Sequence, residues 1–564
     1  MTKMGRGLLF VHKFTWSIWV FLAVLVVLFQ FHGLFGTDYY YHLFLGDQIF
    51  KTGQLHPADH LLLQQPTYIN IYWLFQCVIR AAYGVHEVWG PHLVFVALWL
   101  AIGALFLRLL NANQRPLLAF PFVLSALVAA QLRMEYRPEV VSMLLLVSTL
   151  LMLTRIDFTR PLSKGNWVLV FLIPWIWSNS HGYFIFGIAL GVWRLTTSYL
   201  LGESKQTKKR LLLFVIVSLV ATCAGPLVLK PWQNAWNQIG FFGVMKNQIQ
   251  EFMGSTHPIY MRLWSMKLFF GWWIVTMIVT LLGAIKYKHL MFQLGSAGLG
   301  LGLGYLGYRN VPLFFVLSAP LWSEMLSKLQ AYLKSGSRQV EEEKITLRTV
   351  VFVNALMVGL IGSVVSSKYY DWRYSESELS LGPSPISFPV AFSKFINEKK
   401  FAGKIFNTPS TGGFLELFSP DVTLYGDSRF MDPEPVKRYF RADTEIEAFQ
   451  SLDRSHQFDG VLTSILTNQK LVYGLFKNPD WVFVYGDLNF VFFVHRASKW
   501  RSNFEIPHFD AYQGQDLFRG DIGNRIYQWI LFLKDRQRGV ELQILKNQLT
   551  AAKVLPKKIA NAVN

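Results

Sequence analysis

The stretch FTWSIWVFLAVLVVLFQFHGLFGTDYYYHLFLG (14–46) decides the fold. It opens with an apolar run over 14–35, which matches the roughly 20 residues that a helix needs to cross about 30 Å of hydrocarbon. Basic residues precede the run, but it exceeds the apolar part of a signal peptide and no small-residue cleavage site follows. We therefore expect a retained first span with a cytoplasmic N-terminus, followed by a polar outer loop.

The composition extends this interpretation to most of the chain. Of its 564 residues, 52% are hydrophobic and only 16% are charged, which is typical of a polytopic membrane protein. The net charge of +19 comes largely from short loops between apolar runs, where basic residues orient spans, so we expect no nucleic-acid partner. Two cysteines, Cys77 and Cys223, are too few for a disulfide framework or a thiolate metal site.

Hydropathy predicts about eleven spans in an α-helical membrane protein. The apolar segment 67–84 is not counted, because Gln76 and Arg80 favour a helix that lies at the membrane interface. With that choice every cytoplasmic loop is basic, as the positive-inside rule requires. The predicted spans are 14–35, 91–111, 116–132, 138–154, 166–179, 183–201, 210–229, 267–285, 290–306, 311–327 and 348–367.

The end of the chain changes character. After a transmembrane domain over 1–368, residues 369–500 contain short apolar runs separated by Pro, Gly and Asp turn signals. Strand-like runs at 404–407, 460–464, 481–487 and 489–496 alternate with helix-like runs at 389–399 and 445–452, which predicts a small C-terminal α/β domain outside the cytoplasm. Residues 501–564 form a basic tail that we expect to be helical over 516–560.

Polar residues collect at the span ends that face away from the cytoplasm. Asp38 follows the first span and His42 stands one helical turn later, so both would lie on one helix face. Because all the outer turns lie on the same side, we predict that their polar side chains line one aqueous cavity. The later turns and loops contribute Arg133, Glu135, Arg137, Glu139, Asn179, His181, Lys230, Glu251 and Arg309.

These residues also have structural explanations. Asp38 could cap the helix over 39–51, the run from Arg133 to Glu139 could form ion pairs, and His181 could be a hydrogen-bonded core residue. An ionisable group at membrane depth costs about 2.5–3.5 kcal/mol on insertion scales, so each needs a partner. The functional interpretation is an anion site, because a guanidinium group matches phosphate oxygens.

A cavity with acids and arginines suits transfer of a group from a lipid-linked phosphate donor. A carboxylate can accept the proton of the acceptor hydroxyl, and arginine stabilises the charge that develops on a leaving phosphate. A divalent cation held by the carboxylates and histidines could do the same, although no spacing here is diagnostic of a metal. The Gly-rich stretch 294–307 lies within an apolar span and favours close helix packing over nucleotide binding.

The motifs resemble a family of bacterial multispan membrane proteins with a D-x-W-W-H-L-like first outer loop, which is grouped with GT-C-type glycosyltransferases. Here both Trp positions are Tyr, and Asp38 and His42 are retained. The matching segments follow one another along nearly the whole chain: TDYYYHLFLG (37–46), GQLHPAD (53–59), RPEVVSMLL (137–145), WSNSHGYFIFG (177–187), YRNVPLF (308–314) and IFNTPSTGGFLELFSPDVTLYGDSR (405–429).

This resemblance implies a GT-C-like fold in a bacterial inner membrane, with the C-terminal domain in the periplasm and a polyprenyl-phosphate-linked sugar as donor. It implies Asp38 as the catalytic base, with His42 beside it, and Arg133, Arg137 and Arg309 as phosphate ligands. Two other functions stay open. A non-catalytic scaffold would bind envelope proteins through 369–500, whereas a lipid or glycan transporter would place polar groups near the bilayer midplane.

Overall fold

A computed structural model describes residues 3–509, with short gaps. The chain falls into two compact units, and the described residues of the first lie within Met1–His32 and Ile71–Leu379 and those of the second within Gly33–Asn70 and Ser380–Asn564. The predicted helical tail over 516–560 lies outside the described residues. The gaps are 32–35, 37, 57–58, 65–68, 132, 246–248, 250–251, 337–338, 373–380, 385–386, 430–432, 466, 488 and 505–506.

The first unit is helical. Each of the predicted spans contains a helix, and serine side chains cap two of the helices, Ser163 at α7 and Ser204 at α9. The second helix, α2, belongs to the second unit. The first sixteen helices are α1 Lys3–Gln30, α2 Asp38–Thr52, α3 Trp73–Val85, α4 Trp89–Leu109, α5 Pro116–Gln131, α6 Glu139–Arg155, α7 Lys164–Ser178, α8 Phe184–Leu200, α9 Lys205–Cys223, α10 Lys230–Met245, α11 Pro258–Met261, α12 Trp264–Lys286, α13 Met291–Leu306, α14 Val311–Gly336, α15 Gln339–Val365 and α16 Lys368–Trp372.

Three described helices are long and apolar enough to cross a membrane by length and composition, at Trp89–Leu109, Trp264–Lys286 and Arg348–Val365. Shorter apolar helices occupy Trp16–Gln30, Pro116–Gln131 and Phe184–Leu200. At 1.5 Å per residue, a 16-residue helix such as α5 extends only about 24 Å, which is less than the hydrocarbon thickness. The number of spans therefore remains a prediction.

Helix α3 occupies most of the segment that the sequence analysis assigns to the interface. It has 13 residues and so extends about 20 Å, well short of a bilayer core. Its start is tied to the end of α7, because the Trp73 indole donates to Asn179 Oδ1 at 2.9 Å and Leu74 N donates to the Asn179 carbonyl at 3.2 Å. These bonds hold the start of α3 against the end of α7.

The second unit contains a six-stranded mixed sheet in the order β2-β1-β3-β5-β4-β6. Strands β1, β2 and β3 run parallel, β5 runs antiparallel to β3 and β4, and β6 runs parallel to β4. The remaining elements are α17 Val390–Glu398, β1 Lys404–Asn407, α18 Pro409–Phe418, β2 Thr423–Leu424, α19 Pro433–Thr444, α20 Ile446–His456, β3 Gly460–Ser464, α21 Gln469–Lys477, β4 Trp481–Gly486, β5 Phe490–His495 and β6 His508–Phe509.

The four predicted strand segments coincide with β1, β3, β4 and β5. Every residue of β3 is buried, and five of the six residues of β5 are, as expected of apolar central strands covered on both faces. Gly460 lets these strands pack closely, because a Cβ at this position would stand 2.5 Å from the Phe492 ring. Strands β2 and β6 have only two residues each, too few for a sequence pattern to reveal.

The first outer loop joins this sheet, although it lies within the domain that the sequence analysis assigns to 1–368. Leu62 forms a parallel bridge with Leu424, and Leu63 N donates to the Leu424 carbonyl at 2.8 Å, so the loop extends the sheet beyond β2. Helix α2 packs on α18, where Gly413 is required because a Cβ there would stand 2.4 Å from Tyr41 N. The structure therefore groups 33–70 with the C-terminal part of the chain.

A buried ion cluster connects the first outer loop to the rest of the second unit. Arg429 Nη2 lies 2.6 Å from Asp59 Oδ2 and 2.5 Å from Glu416 Oε1, and its Nε donates to Asp427. All four side chains are at most 6% exposed. Burial raises the pKa of Glu416 well above its ordinary value and also raises that of Asp427, because one guanidinium cannot neutralise three carboxylates. We call these residues the Arg429 cluster.

A second buried acid makes the stability of this unit depend on pH. Burial raises the pKa of Asp443 from 3.8 to about 7, although the Asn468 amide donates to its carboxylate. Since the folded state holds the proton and the unfolded state releases it, the contribution of Asp443 to stability is full below about pH 4 and is lost as pH rises to about 7. Asp443→Asn should remove that part of the slope.

The measurement is thermal unfolding of the full-length protein, followed by fluorescence between pH 4 and 8 in wild type and Asp443→Asn. The matched control is Asp480→Asn, since Asp480 is exposed. A wild-type-minus-variant difference that does not change with pH would contradict the assignment.

Candidate functional site

Three turns of the first unit bring polar side chains together. They join α5 to α6, α7 to α8, and α13 to α14, and they contribute Arg133 to Glu139, His181 with Tyr183, and Arg309 with Asn310. Glu139 is the first residue of α6, where the helix dipole favours a carboxylate. Contacts between side chains connect all three turns.

Glu139 links two of the turns. Arg133 Nη2 donates to Glu139 Oε2 at 2.5 Å, and Arg309 Nη2 lies 3.7 Å from Glu139 Oε1. Beside them Arg137 Nε lies 2.7 Å from Glu135 Oε2. Among the described residues, these contacts join three guanidinium groups to two carboxylates. We call Arg133, Glu135, Arg137, Glu139 and Arg309 the arginine cluster.

Arg309 is held in place by an aromatic frame. Its Nε donates to Tyr183 Oη at 2.9 Å, and the Tyr183 hydroxyl donates to Asn310 Oδ1 at 3.2 Å. The guanidinium also lies over the rings of Tyr183 and Phe252, at 5.5 Å and 5.2 Å from their centroids. Its side chain remains 18% exposed, the same order as Glu139 at 14%, so a ligand can reach both.

His181 lies next to the arginine cluster. Its ring centroid is 4.5 Å from that of Tyr183, and its Nδ1 is 2.8 Å from Ser142 Oγ. Ser142 Oγ in turn accepts a hydrogen bond of 2.7 Å from the Trp177 indole. Burial lowers the pKa of His181 to about 4, so the imidazole is neutral at pH 7.

Neither Asn179 nor Lys230 belongs to the arginine cluster. Asn179 is fully buried and its amide serves structure, since Oδ1 accepts from Trp73 and Nδ2 donates to the Trp175 carbonyl at 2.8 Å. Lys230 is exposed at the start of α10. Glu251 lies outside the described residues.

Asp38 and His42 belong to the second unit. Asp38 is the first residue of α2 and is partly buried, while His42 is 1% exposed with its ring centroid 4.1 Å from that of Tyr41. Both therefore keep the one-turn spacing that the sequence predicts. Among the described residues, no group of three or more His, Cys, Asp or Glu side chains has a geometry that could hold a metal ion.

Several residues of the site were not predicted from the sequence. Ser142, Trp177 and Tyr183 contact predicted residues but were not candidates themselves. One signal was available, because Ser142 stands three residues after Glu139 and so shares its helix face. No comparable signal connects Trp177 to Ser142, since that contact joins different helices.

No protein-family model matches the sequence, and a search of curated proteins gives no significant match. Solved structures do match. One is the archaeal oligosaccharyltransferase AglB from Archaeoglobus fulgidus in complex with an inhibitory peptide and a dolichol-phosphate, with a TM-score of 0.54 and 12% identity over 87% of this chain and 75% of that chain. Another is an Archaeoglobus fulgidus oligosaccharyltransferase in the apo form, with a TM-score of 0.51 and 11% identity over the same shares. The chain therefore has a GT-C-like fold similar to that of these membrane proteins.

Proposed function

We propose that the protein is a membrane glycosyltransferase that transfers a sugar from a polyprenyl-phosphate donor to an acceptor on the periplasmic side of a bacterial inner membrane. The observation that carries the proposal is the arginine cluster, which brings three guanidinium groups together at the ends of two helix pairs. The GT-C-like fold supports it, as does the phosphate-linked lipid present in the AglB structure.

Each group of the site has a proposed role in the transfer reaction. The acceptor hydroxyl attacks the sugar carbon while the bond from that carbon to the phosphate oxygen breaks, and the lipid phosphate leaves as an anion. Arg309, Arg133 and Arg137 stabilise that anion, because guanidinium groups form strong charge-assisted hydrogen bonds with phosphate oxygens. Asp38 is the candidate base that accepts the proton of the hydroxyl, following the resemblance of its motif, with His42 beside it.

The distances and exposures of the ion pairs indicate which arginine is the candidate phosphate ligand. All three guanidinium groups of the arginine cluster contact a carboxylate, so the alternative interpretation is that they serve only as ion pairs. The 3.7 Å separation of Arg309 from Glu139 is longer than the 2.5 Å bond from Arg133, and Arg309 is also the most exposed of the three arginines. Arg309 is therefore the group we expect to bind a phosphate.

Arg309→Ala should weaken binding of decaprenyl phosphate by about 10- to 100-fold, the range expected for loss of hydrogen bonds to a charged group. The measurement is lipid binding by the full-length protein in nanodiscs. Arg137→Ala should act in the same direction.

The matched control is Arg194→Ala. Arg194 has a similar exposure, 17%, and also pairs with a glutamate, Glu203 at 3.0 Å, but it lies outside the arginine cluster. Equal affinities in the Arg309 and Arg194 variants would reject the phosphate site and favour a scaffold that binds envelope partners through 369–500.

A further inference from the structure

The ring nitrogens of His181 have unequal surroundings. Two groups approach Nδ1, the Ser142 hydroxyl at 2.8 Å and the Tyr183 backbone N–H at 3.4 Å. Because the backbone N–H can only donate, Nδ1 must accept and carries no proton. The neutral imidazole then holds its proton on Nε2.

Trp177 fixes the direction of the hydrogen bond between Ser142 and His181. Its indole N–H can only donate, and it donates to Ser142 Oγ at 2.7 Å, which occupies an acceptor position of that oxygen. The hydroxyl proton of Ser142 is then directed to Nδ1. Both side chains are at most 1% exposed, so water does not compete with these bonds.

The Nε2–H group is a donor without a partner in the part of the chain that the structure describes. His181 and Arg309 both contact Tyr183, so the imidazole ring that carries this donor lies beside the arginine cluster. A protonated imidazole would be repelled by the guanidinium groups nearby, whereas a neutral one donates a hydrogen bond without that cost.

We propose that Trp177 and Ser142 are positioning residues that fix His181 as an uncharged Nε2–H donor to a phosphate oxygen of the lipid donor. This inference rests on the proposed function for its ligand. It also explains why a buried serine and a tryptophan indole are aligned on a histidine that pairs with no carboxylate among the described residues. The arginines supply positive charge, and His181 supplies one hydrogen bond of defined direction.

The test follows the His181 ring by ¹⁵N NMR in the full-length protein, with its signal assigned by its loss in His181→Gln. We expect the Nε2–H tautomer in wild type and a mixture of tautomers in Ser142→Ala. Trp177→Phe, which keeps the hydroxyl but loses the indole N–H, should shift the mixture in the same direction. Affinity for decaprenyl phosphate should fall about fivefold in Ser142→Ala, because rings that carry their proton on Nδ1 cannot donate from Nε2 to the phosphate.

The matched control is Ser148→Ala on the same helix, because the Ser148 hydroxyl donates to its own helix at the Leu144 carbonyl, 2.8 Å away. It should change neither the tautomer nor the affinity. An unchanged tautomer in both the Ser142 and Trp177 variants would overturn the positioning role. A wild-type protein that shows the expected tautomer but binds no decaprenyl phosphate would overturn the donor role and the proposed function, while the positioning of the ring would stand.

Discussion

Arg429→Ala is expected to destabilise the second unit by about 3–5 kcal/mol, the typical cost of removing one partner from a buried ion pair. The variant leaves Asp59, Glu416 and Asp427 without the guanidinium that each contacts. Since a domain is stable by only about 5–15 kcal/mol, this loss should make the unit visibly sensitive to protease. The measurement is limited proteolysis of the full-length protein in detergent.

The pH dependence of protease resistance in Arg429→Ala provides a second measurement. Protonation neutralises the carboxylates that Arg429 leaves behind, so lowering the pH should partly restore protease resistance. The control is Arg441→Ala, because Arg441 is 72% exposed and its ion pair within the described part of the chain is with Glu445, four residues later. If Arg429→Ala were as resistant as this control at neutral pH, the cluster would not stabilise the unit.

Asp38→Asn is expected to lower kcat for sugar transfer by about 10²- to 10⁴-fold, which is the usual contribution of a general base. Asparagine has nearly the same shape but cannot accept the proton, so insertion and folding should be unchanged. The measurement requires a polyprenyl-phosphate sugar and an acceptor, or in their absence the complementation of a deletion strain.

The control for this variant is Asp47→Asn on the same helix. Asp47 pairs with Lys51 at 2.6 Å and has no role in the proposed transfer, so its change to Asn should affect kcat little. Full activity of Asp38→Asn would refute its role as the base. Combined with sensitivity to changes on the surface of 369–500, it would point to a scaffold.

The helices of the first unit could be predicted because long apolar runs identify them without knowledge of their neighbours. The grouping of 33–70 with the second unit could not. That grouping depends on the Leu62–Leu424 bridge and on the contact of Gly413 with Tyr41, which join segments far apart in the sequence. A hydropathy pattern indicates whether a segment is buried or exposed. It does not identify the segment against which it packs.

The site shows the same division. Arginines at outer span ends oppose the positive-inside rule, so Arg133, Arg137 and Arg309 stand out in the sequence. Ser142 and Trp177 have no such signal, because both residue types are ordinary within apolar helices. Their importance comes from the direction of hydrogen bonds, which only the packing of α6 against α7 establishes.

The Arg429 cluster has a consequence for biosynthesis. Asp59 leaves the ribosome 370 residues before Arg429, and at about 5–20 residues per second this interval lasts on the order of 20–70 s. During that time the early loop has been made while the sheet that it joins has not. We therefore infer that nascent chains pass through a stage in which this loop lacks its partners, and that it closes only after Arg429 has been made.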